Sequence, residues 1–372
     1  MSAAPTFIFA GGGTGGHLYP ALAVAAEVTR LEPQAVIVFA CSNRDIDRRV
    51  LDPTPYSIVP QPIRPLPRGA KDVLPFMRAF LASRKLAKAM VADLKPSAVL
   101  GLGGFAAGAV VQQSARAGVR CGLLNPDAVP GKANQYLAGY VQTIFTQFES
   151  TTQTFKPAAQ AKVQVAGCPV RRELLSGSRA EALEFFDLRP DRLTLTVLGG
   201  SLGAASINDA MRALVPDLDE LAQTWQVLHV TGPAKSGPDA SAQPSSIHWR
   251  TLEYCHRMDL AYAASDLAIC RGGAVTVAEL TATGTPSIIL PYPYHADQQQ
   301  KLNAAQLSAA GAGIVVQDTK DGTTNAAVLR GVMLPLMRDP EQVLEMRMAA
   351  RGLGKPDAAQ DVAKWLLGDG RQ

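Results

Sequence analysis

Short apolar runs alternate with helix-like stretches along the first half of the chain. The apolar runs predict strands at residues 6–10, 36–40, 98–102, 121–124, 143–146 and 163–166. Apolar residues at helical spacing between them predict helices at residues 18–31, 76–94 and 105–117. Strands that alternate with helices in this way indicate a parallel sheet with right-handed crossovers.

The alternation of strands and helices restarts near the middle of the chain. Residues 193–214 read LTLTVLGGSLGAASINDAMRAL, a strand, a glycine turn and a helix that echo FIFAGGGTGGHLYPALAVAAEV at residues 7–28. Later apolar runs predict strands at residues 225–231, 266–270 and 287–290. We therefore predict an α/β protein with two nucleotide-type sheets, linked through the segment GCPVRRELLSGSRA. A length of 372 residues also favours two domains over one core.

Composition narrows the class of protein. Hydrophobic residues make up 47% of the chain and charged residues 18%, as is typical of an α/β enzyme. Five cysteines, an odd number without a C-x-x-C pair, favour reduced cytosolic thiols over a zinc cluster. No basic residue precedes the first apolar run, and no run approaches the roughly 18 apolar residues of a membrane-spanning helix. We expect neither a signal peptide nor a spanning segment.

Four glycine-rich turns each follow a predicted strand and precede a predicted helix. They lie at residues 11–16, 103–104, 199–203 and 272–273. Such turns let backbone N–H groups and a helix N-terminus approach a phosphate, although Gly-Gly can also serve only close packing. The first turn fits G-x-G-x-x-G, but the second strand ends in VFACSN without the acidic residue that NAD-binding sites use. A Walker sequence is absent, so the turns predict a phosphate-binding cleft of another kind.

His17 and two acidic pairs are the other candidates for chemistry. His17 follows the first glycine turn, where an imidazole could transfer a proton near neutral pH, although a structural role is common for a lone histidine. The pairs Asp45/Asp47 and Asp217/Asp219 could suggest a metal–diphosphate motif. Their helix-like polar surroundings favour a solvated face instead, and the histidine spacing suggests no metal site.

A basic segment between residues 61 and 95 has eight Lys or Arg residues against two Asp, whereas the whole chain has a net charge of only +4. Leu74, Phe76, Met77, Phe80 and Leu81 lie among these charges. Basic residues interleaved with large apolar ones can bind an anionic bilayer. Without further information, a solvated basic face with its apolar residues in the core is slightly favoured.

Six motifs occur in an order known from one enzyme family. They are GGGTGGHLYPALAVA, VLGLGGFAAG, GCPVR, VLGGSLGA, CRGGAVTVAEL and DQQQKLNAAQL. From about Phe7 to Val316 the chain thus resembles the MurG family, which transfers N-acetylglucosamine from UDP-N-acetylglucosamine to lipid I, with inversion, and forms lipid II in peptidoglycan synthesis. The resemblance implies a GT-B fold of two Rossmann-like domains facing across a cleft, without metal or cofactor. It implies an acceptor- and membrane-binding domain at residues 1–171 and about 357–372, and a UDP-sugar domain at 172–356.

The resemblance also implies roles for individual residues. Implied substrate contacts are Thr14, Gly15 and Gly16 on the donor side, Arg171 and Ser201 at the diphosphate, Cys255 at uracil, Ala274, Val275, Thr276, Val277, Ala278 and Glu279 over diphosphate and ribose, and Gln299 and Gln300 at the transferred sugar. Glu279 suits the ribose because a carboxylate accepts two hydrogen bonds. His17 is the expected general base for the attacking muramoyl hydroxyl, while Arg171, Ser201 and helix N-termini stabilise departing UDP.

The acceptor loop departs from the family pattern. It reads LLNPDAVPGKAN, with Asn125 where the family usually has Glu and Asp127 where it has Asn. Because an amide cannot act as a base, a proton-relay role is lost or moved to Asp127; both residues remain candidate substrate contacts. Leu202 replaces a usual Gln and Cys168 a usual Asn. We hypothesise that the loop is adapted to a variant acceptor or that activity is reduced.

The resemblance changes the interpretation of the basic segment. MurG-like proteins dock through an apolar patch with a basic rim, so we expect the region from about Arg64 to Lys88 to bind the cytoplasmic face of the cell inner membrane peripherally. No nucleic-acid partner is expected. Alternatives are a GT-B enzyme with another lipid acceptor, a UDP-sugar epimerase and a non-catalytic UDP-N-acetylglucosamine sensor. A dehydrogenase stays formally open.

Overall fold

A computed structural model describes residues 4–64, 67, 69–200, 202–233, 246–294 and 297–368 of the chain. Contacts between residues divide it into two compact units. The first is Met1–Arg171 with Lys355–Gln372, and the second is Arg172–Gly354.

The first unit alternates strands and helices from its start. Its strands are β1 (Thr6–Gly11), β2 (Val36–Cys41), β3 (Ser57–Pro60), β4 (Ala98–Gly103), β5 (Arg120–Asn125), β6 (Thr143–Thr146) and β7 (Val163–Val165). Its helices are α1 (Gly15–Leu31), α2 (Asp45–Leu51), α3 (Ala70–Leu94), α4 (Gly104–Arg116), α5 (Lys132–Leu137) and α6 (Pro157–Gln160). This part of the chain also has a 3-10 helix at Glu149–Thr154.

The first sheet is parallel, in the order β3-β2-β1-β4-β5-β6-β7. Its centre is apolar on both faces, because Ile8 of β1 and Phe9 after it are both fully buried, on opposite sides of the strand. The strand order reverses at β1, because β2 lies on one side of β1 and β4, which comes later in the chain, lies on the other. Ligands of open α/β sheets bind at the carboxyl ends of the strands beside such a reversal.

The second unit repeats this arrangement. Its strands are β8 (Leu193–Leu198), β9 (Trp225–Val230), β10 (Trp249–Leu252), β11 (Leu267–Cys270), β12 (Ser287–Ile289) and β13 (Gly313–Val315). Its helices are α7 (Arg179–Phe185), α8 (Ala205–Ala213), α9 (Val215–Asp219), α10 (Met258–Ala264), α11 (Ala274–Thr283), α12 (Gln299–Ala309), α13 (Gly322–Met337) and α14 (Pro340–Leu353), with a 3-10 helix at Arg172–Leu175.

The second sheet is also parallel, in the order β10-β9-β8-β11-β12-β13. Leu195 and Val197 of β8 and Ile269 of β11 are fully buried in its core. The chain again reverses beside its first strand, since β9 and β11 flank β8. Two Rossmann-like parallel sheets confirm the predicted α/β fold class.

The last helix, α15 (Ala358–Leu367), packs on the first unit. Val362 and Leu366 are buried in the core between the sheet and α1. The Arg120 guanidinium lies 4.9 Å from the Trp365 ring and donates a 2.6 Å hydrogen bond to the carbonyl of Leu366. The helix is thus fixed by apolar burial and by a cation that caps its last carbonyls.

One helix begins earlier than its sequence suggests. The sequence predicts a helix from residue 76, directly after Pro75. The structure instead begins α3 at Ala70, with Asp72 in the first turn, where a carboxylate interacts favourably with the helix N-terminus. Among the described residues, none of the helices has the length and apolar character needed to cross a membrane.

Candidate functional site

The first glycine-rich turn joins β1 to α1. Gly11, Gly12 and Gly13 have φ angles of 150°, 151° and 87°, a region that favours glycine. A Cβ at Gly11 would lie 2.6 Å from the Cβ of Leu102, and one at Gly12 would lie 2.5 Å from a carboxylate oxygen of Asp47. Gly11 and Gly12 are therefore favoured both by conformation and by the space available, and Gly13 by conformation.

His17 lies in the first turn of α1, and its ring is held by this turn. Its Nδ1 lies 3.3 Å from the carbonyl oxygen of Gly12 and 3.2 Å from the hydroxyl of Thr14. A carbonyl oxygen can only accept, so the contact with Gly12 is a hydrogen bond in the tautomer with hydrogen on Nδ1, whereas the Thr14 hydroxyl can donate to Nδ1 in the other tautomer. In the Nδ1–H tautomer of the neutral ring, Nε2 carries the lone pair, as a general base needs.

The second glycine turn brings α4 beside the same histidine. A Cβ at Gly104 would lie 3.9 Å from Cε1 of His17 and 3.2 Å from the carbonyl oxygen of Gly12. Gly103 and Gly104 both have positive φ angles, 92° and 72°. Two helix N-termini, those of α1 and α4, therefore flank the imidazole and can stabilise negative charge near it.

Asn125 braces the acceptor loop. It is 1% exposed, accepts a 2.9 Å hydrogen bond from Nδ2 of Asn134, and donates a 2.7 Å bond to the carbonyl of Asp127. Both ends of its amide are thus engaged within the loop, whereas Asp127 is partly exposed. Asn134 in turn packs against Gly103, whose Cβ would lie 2.8 Å from Oδ1 of Asn134.

Arg171 lies close to the first glycine turn. Its guanidinium carbon is 5.5 Å from the centre of the Tyr19 ring, within range of a cation–π contact. A Cβ at Gly15 would lie 3.2 Å from the same ring. Thr14 and Gly16 are exposed at this turn. The first unit therefore brings together Thr14, Gly15, Gly16, His17 and Arg171, which the sequence analysis named as candidates.

The third glycine turn joins β8 to α8. Gly200 and Gly203 have φ angles of 79° and 69°, and a Cβ at Gly203 would clash with the carbonyl oxygen of Thr231. The predicted contact Ser201 lies outside the described residues. Leu202, which replaces a usual glutamine, has 72% of its surface exposed.

The fourth turn, Gly272–Gly273, precedes α11, and the predicted contacts there divide into two sets. Val275, Thr276 and Glu279 are partly exposed, and the Glu279 carboxylate accepts a 3.0 Å hydrogen bond from the hydroxyl of Tyr262. Ala274 and Ala278 are buried. Val277 has no exposed surface, so its side chain belongs to the core because the helix turns that face inward.

The start of α12 lies against the fourth turn. A Cβ at Gly272 would clash with the backbone carbonyl of Gln300. The side-chain oxygen of Gln300 accepts a 2.8 Å hydrogen bond from the backbone N–H of Tyr292. Gln300 therefore fastens the preceding loop as well as being a predicted sugar contact. Gln299 is partly exposed, and its backbone N–H donates to Asp297.

Cys255, the predicted neighbour of uracil, is 7% exposed. Burial raises the pKa of its thiol to about 11. The thiol is therefore neutral at physiological pH. Any role in recognition falls to its backbone, as the resemblance implies.

Sequence reasoning missed a buried ion pair beside the fourth turn. Arg271 donates a 2.6 Å hydrogen bond to Asp318, whose side chain has no exposed surface. The same carboxylate accepts from the Ser206 hydroxyl at 2.6 Å and from Asn325 Nδ2 at 2.8 Å. Arg271 also donates a 2.9 Å bond to the carbonyl of Leu290. This network joins β11, α8, α13 and the loop after β12, and only the place of Arg271 directly before Gly-Gly signals it in sequence.

The sequence predicts that the acidic pairs Asp45/Asp47 and Asp217/Asp219 both lie on solvated helix faces, but the structure distinguishes them. Asp47 is only 1% exposed and accepts hydrogen bonds from the backbone of Gly13 and Ser42, which corrects the expectation from sequence. Asp217 pairs with Arg330 through two hydrogen bonds of 2.7 and 2.9 Å. Among the described residues no group of three or more His, Cys, Asp or Glu could hold a metal ion.

The first half of α3 exposes apolar side chains to solvent. Leu74, Met77 and Leu81 are 59%, 44% and 55% exposed. Residues 78, 85 and 88 lie on the same helical face, because they continue the spacing of three and four, and all three are basic and exposed. Arg68 lies outside the described residues. We name residues 71, 74, 77, 78, 81, 85 and 88 the α3 face; it combines apolar and cationic side chains, whereas residues 83, 87, 90 and 91 face the core.

Comparison with known proteins identifies the family. Residues 7–146 match the glycosyltransferase family 28 N-terminal domain, and residues 194–362 match its C-terminal domain. The chain belongs to glycosyltransferase family 28. The predicted resemblance and the predicted enzyme class are thereby confirmed.

Relatives of this family 28 chain match it over nearly its full length. It is 35% identical over 370 residues to the UDP-N-acetylglucosamine--N-acetylmuramyl-(pentapeptide) pyrophosphoryl-undecaprenol N-acetylglucosamine transferase of Desulfitobacterium hafniense, covering 97% of this chain and 98% of the relative. The protein with the same name from Halothermothrix orenii is 33% identical over 361 residues, covering 94% and 95%.

Solved structures with a similar fold include enzymes of this family. The MurG structure from Acinetobacter baumannii superposes with a TM-score of 0.78 at 25% identity, covering 98% of this chain and 99% of that one. A putative UDP-N-acetylglucosamine 2-epimerase from Listeria monocytogenes has a TM-score of 0.67 at 14% identity, covering 100% and 98%. The latter likeness concerns the fold alone.

The Arg271–Asp318 network predicts an acid-sensitive stability of the second unit. Burial by itself raises the pKa of Asp318, but hydrogen bonds from Ser206 and Asn325, with the ion pair, lower it overall. A carboxylate whose pKa is lower folded than unfolded stabilises the fold above its unfolded pKa of about 4 and loses this contribution as the pH falls further. We expect Asp318→Asn to lower the free energy of unfolding by about 3 kcal/mol at pH 7, because it leaves Arg271 buried without its counter-charge.

The measurement is chemical denaturation of wild type and variant between pH 7 and pH 3. The difference between them should shrink below about pH 4. Asp209→Asn is the control, because Asp209 forms an exposed ion pair with Arg212 and should change stability by less than about 0.5 kcal/mol. Equal effects of the two substitutions, or a difference independent of pH, would contradict the stabilising role of the buried pair.

Proposed function

We propose that the chain transfers N-acetylglucosamine from UDP-N-acetylglucosamine to the muramoyl sugar of lipid I, with inversion, and so forms lipid II. The observation that carries this proposal is identity of 33–35% over nearly the whole chain to transferases named for that reaction. The glycine turns support it, since both units have donor-rich turns at the carboxyl ends of parallel strands.

Departure of UDP requires stabilisation of negative charge on its diphosphate. We propose that the N-terminus of α11, preceded by Gly272–Gly273, supplies backbone donors and the positive end of a helix dipole. In the first unit, Arg171, held over the Tyr19 ring, is the proposed cationic contact of the substrate. Preorganised donors of this kind contribute to catalysis because they need not reorient as charge develops.

Attack by the acceptor hydroxyl requires removal of its proton. His17 fits this task in the tautomer whose Nδ1 donates to the carbonyl of Gly12, because the lone pair is then on Nε2. The hydroxyl oxygen bonds to the anomeric carbon, the bond from that carbon to UDP breaks, and the proton passes to Nε2. Asp127 is the second candidate for the proton, since Asn125 cannot accept one.

The acceptor is anchored in a bilayer, so the enzyme must reach the membrane surface. We propose that the α3 face docks on anionic lipid at the cytoplasmic side of the cell membrane as a peripheral contact. Leu74, Met77 and Leu81 would enter the interface while Arg78, Lys85 and Lys88 contact headgroups. This proposal replaces the solvated-face interpretation because the apolar residues point outward instead of into the core.

His17→Gln should lower the kcat for transfer of labelled N-acetylglucosamine to lipid I by about 10²- to 10⁴-fold, the usual contribution of a general base. Binding of UDP-N-acetylglucosamine, measured by calorimetry, should stay within about twofold, since the base acts on the acceptor. His248→Gln is the matched control, because His248 bonds the carbonyl of Asp187 in the second unit and should keep full activity.

The same assay separates the rival functions when other lipid acceptors are included. Transfer only to a different lipid would indicate another GT-B specificity. Epimerisation of the sugar nucleotide without transfer would indicate an epimerase, and binding without turnover a sensor. Any of these results for the wild-type protein would overturn the proposed reaction.

Charge reversal on the α3 face should release the protein from anionic vesicles. Each basic residue near such a surface contributes about 1 kcal/mol, so replacing Arg78, Lys85 and Lys88 with Glu should weaken binding by at least roughly 100-fold. Co-sedimentation with phosphatidylglycerol vesicles measures this change. Replacing Leu74 and Leu81 with Ser should reduce the binding that remains at high salt, because salt screens only the charges.

Reversal of Arg49, Lys156 and Lys364 is the control, because all three are exposed and lie outside α3. The net charge changes equally, but vesicle binding should fall much less. Equal losses in the two triple variants would mean that net charge alone drives binding and would reject the α3 face.

A further inference from the structure

The carboxylate of Asp47 is buried directly beneath the first glycine turn. It lies in the first turn of α2, shortly after β2, and is 1% exposed. One oxygen, Oδ1, accepts a 2.6 Å hydrogen bond from the backbone N–H of Gly13. The other, Oδ2, accepts from the backbone N–H and from the hydroxyl of Ser42. Each oxygen therefore accepts from one backbone N–H, and Oδ2 accepts from a hydroxyl as well.

Helix α2 and the residue before it form hydrogen bonds with both the N–H and the carbonyl of Gly13. Asp47 takes the N–H of Gly13, and Nη1 of Arg44, the residue before α2, donates a 3.3 Å hydrogen bond to the carbonyl of Gly13. Gly12 packs on the carboxylate, since a Cβ there would lie 2.5 Å from Oδ2. Glycines with positive φ have wide conformational freedom, so such a clamp is what gives the turn one conformation.

The clamped turn in turn sets the ring of His17. The Gly12 carbonyl belongs to the same peptide as the Gly13 N–H that Asp47 accepts, and its oxygen lies 3.3 Å from Nδ1 of His17, where it can accept a hydrogen bond from the Nδ1–H tautomer. A change in the Gly12–Gly13 peptide would redirect this carbonyl and remove the contact that selects the Nδ1–H tautomer. The chain of contacts thus runs from Ser42 and Asp47 through the turn to the imidazole.

A neutral isostere cannot replace this carboxylate. An asparagine at position 47 has one oxygen and one NH2 group, and the NH2 group would face either the N–H of Gly13 or that of Ser42. Two donors facing each other leave a buried N–H without an acceptor. The site therefore demands an acceptor at both positions, which only an ionised carboxylate offers.

We propose that Asp47 is a positioning residue, which acts through the glycine turn to hold His17 in the Nδ1–H tautomer with Nε2 toward the acceptor. This inference rests on the proposed role of His17 and adds the residue that orients it. Asp47 itself does not touch the reacting atoms.

The test is Asp47→Asn in the full-length protein with 15N-labelled histidine. At a pH where the ring is neutral, the 15N chemical shifts of His17, assigned by their loss in His17→Gln, report which nitrogen carries hydrogen. Wild type should show the Nδ1–H tautomer, and the variant a mixture with Nε2–H. The kcat for transfer should fall by roughly 100-fold, as expected for a misplacement of about 1 Å, with KM for UDP-N-acetylglucosamine within about twofold.

Asp45→Asn is the matched control, because Asp45 lies on the same turn of α2 but is exposed. It should leave both the NMR signals and kcat unchanged. Ser42→Ala is the milder variant, since it removes only the hydroxyl donor and should give an intermediate tautomer shift. This variant keeps the test valid if Asp47→Asn fails to fold.

The NMR measurement also separates the positioning role of Asp47 from the proposed transferase function. A wild-type Nε2–H tautomer, or unchanged His17 signals in Asp47→Asn and Ser42→Ala, would overturn the positioning role whatever the activity. A protein that shows the expected tautomer shift but transfers no sugar to lipid I would instead overturn the proposed function and leave the positioning intact.

Discussion

Backbone N–H groups can approach a phosphate only where side chains have been removed, and the glycines that allow this approach make the turn flexible. The rest of the structure depends on resolving that conflict. Gly12 and Gly13 adopt φ angles of 151° and 87°, and Gly200 and Gly203 adopt 79° and 69°. A turn that must wait for ligand to order it would lose binding free energy to conformational entropy. Each sheet therefore needs a rigid brace next to its glycines.

The two units brace their turns with different chemistry. In the first unit a carboxylate, Asp47, binds backbone N–H groups and leaves no cation buried. In the second unit Arg271 and Asp318 form a buried ion pair, and Arg271 immediately precedes the Gly-Gly turn. A buried pair adds little net stability, but losing one partner is expensive because the other charge remains buried. The Arg271–Asp318 pair consequently favours one conformation of β11 relative to α8 and α13. Its contribution to stability is lost when Asp318 is protonated at low pH.

Sequence patterns predict the fold better than they predict these braces. Parallel strands bury both faces, so apolar runs such as residues 7–10 indicate strands, and the glycines after them mark the ligand edge. Asp47 looks like one acid in a polar helix, because local periodicity does not reveal that the glycine turn lies above it. Val277 shows the converse limit: a motif gives its position beside the ligand edge, but not that helical rotation turns its side chain into the core.

The acceptor loop shows how such an environment constrains a departure from the family pattern. Position 125 is 1% exposed, and its side chain must both accept from Asn134 and donate to the carbonyl of Asp127. A glutamate there would have an acceptor where this loop needs a donor, and would bury a charge with no cation among these partners. Asparagine satisfies both neighbours as a neutral group. The loop is thus self-consistent with Asn125, and its carboxylate stands two residues later, at the partly exposed Asp127. Asp127 is therefore the candidate in this loop for a proton relay beside His17.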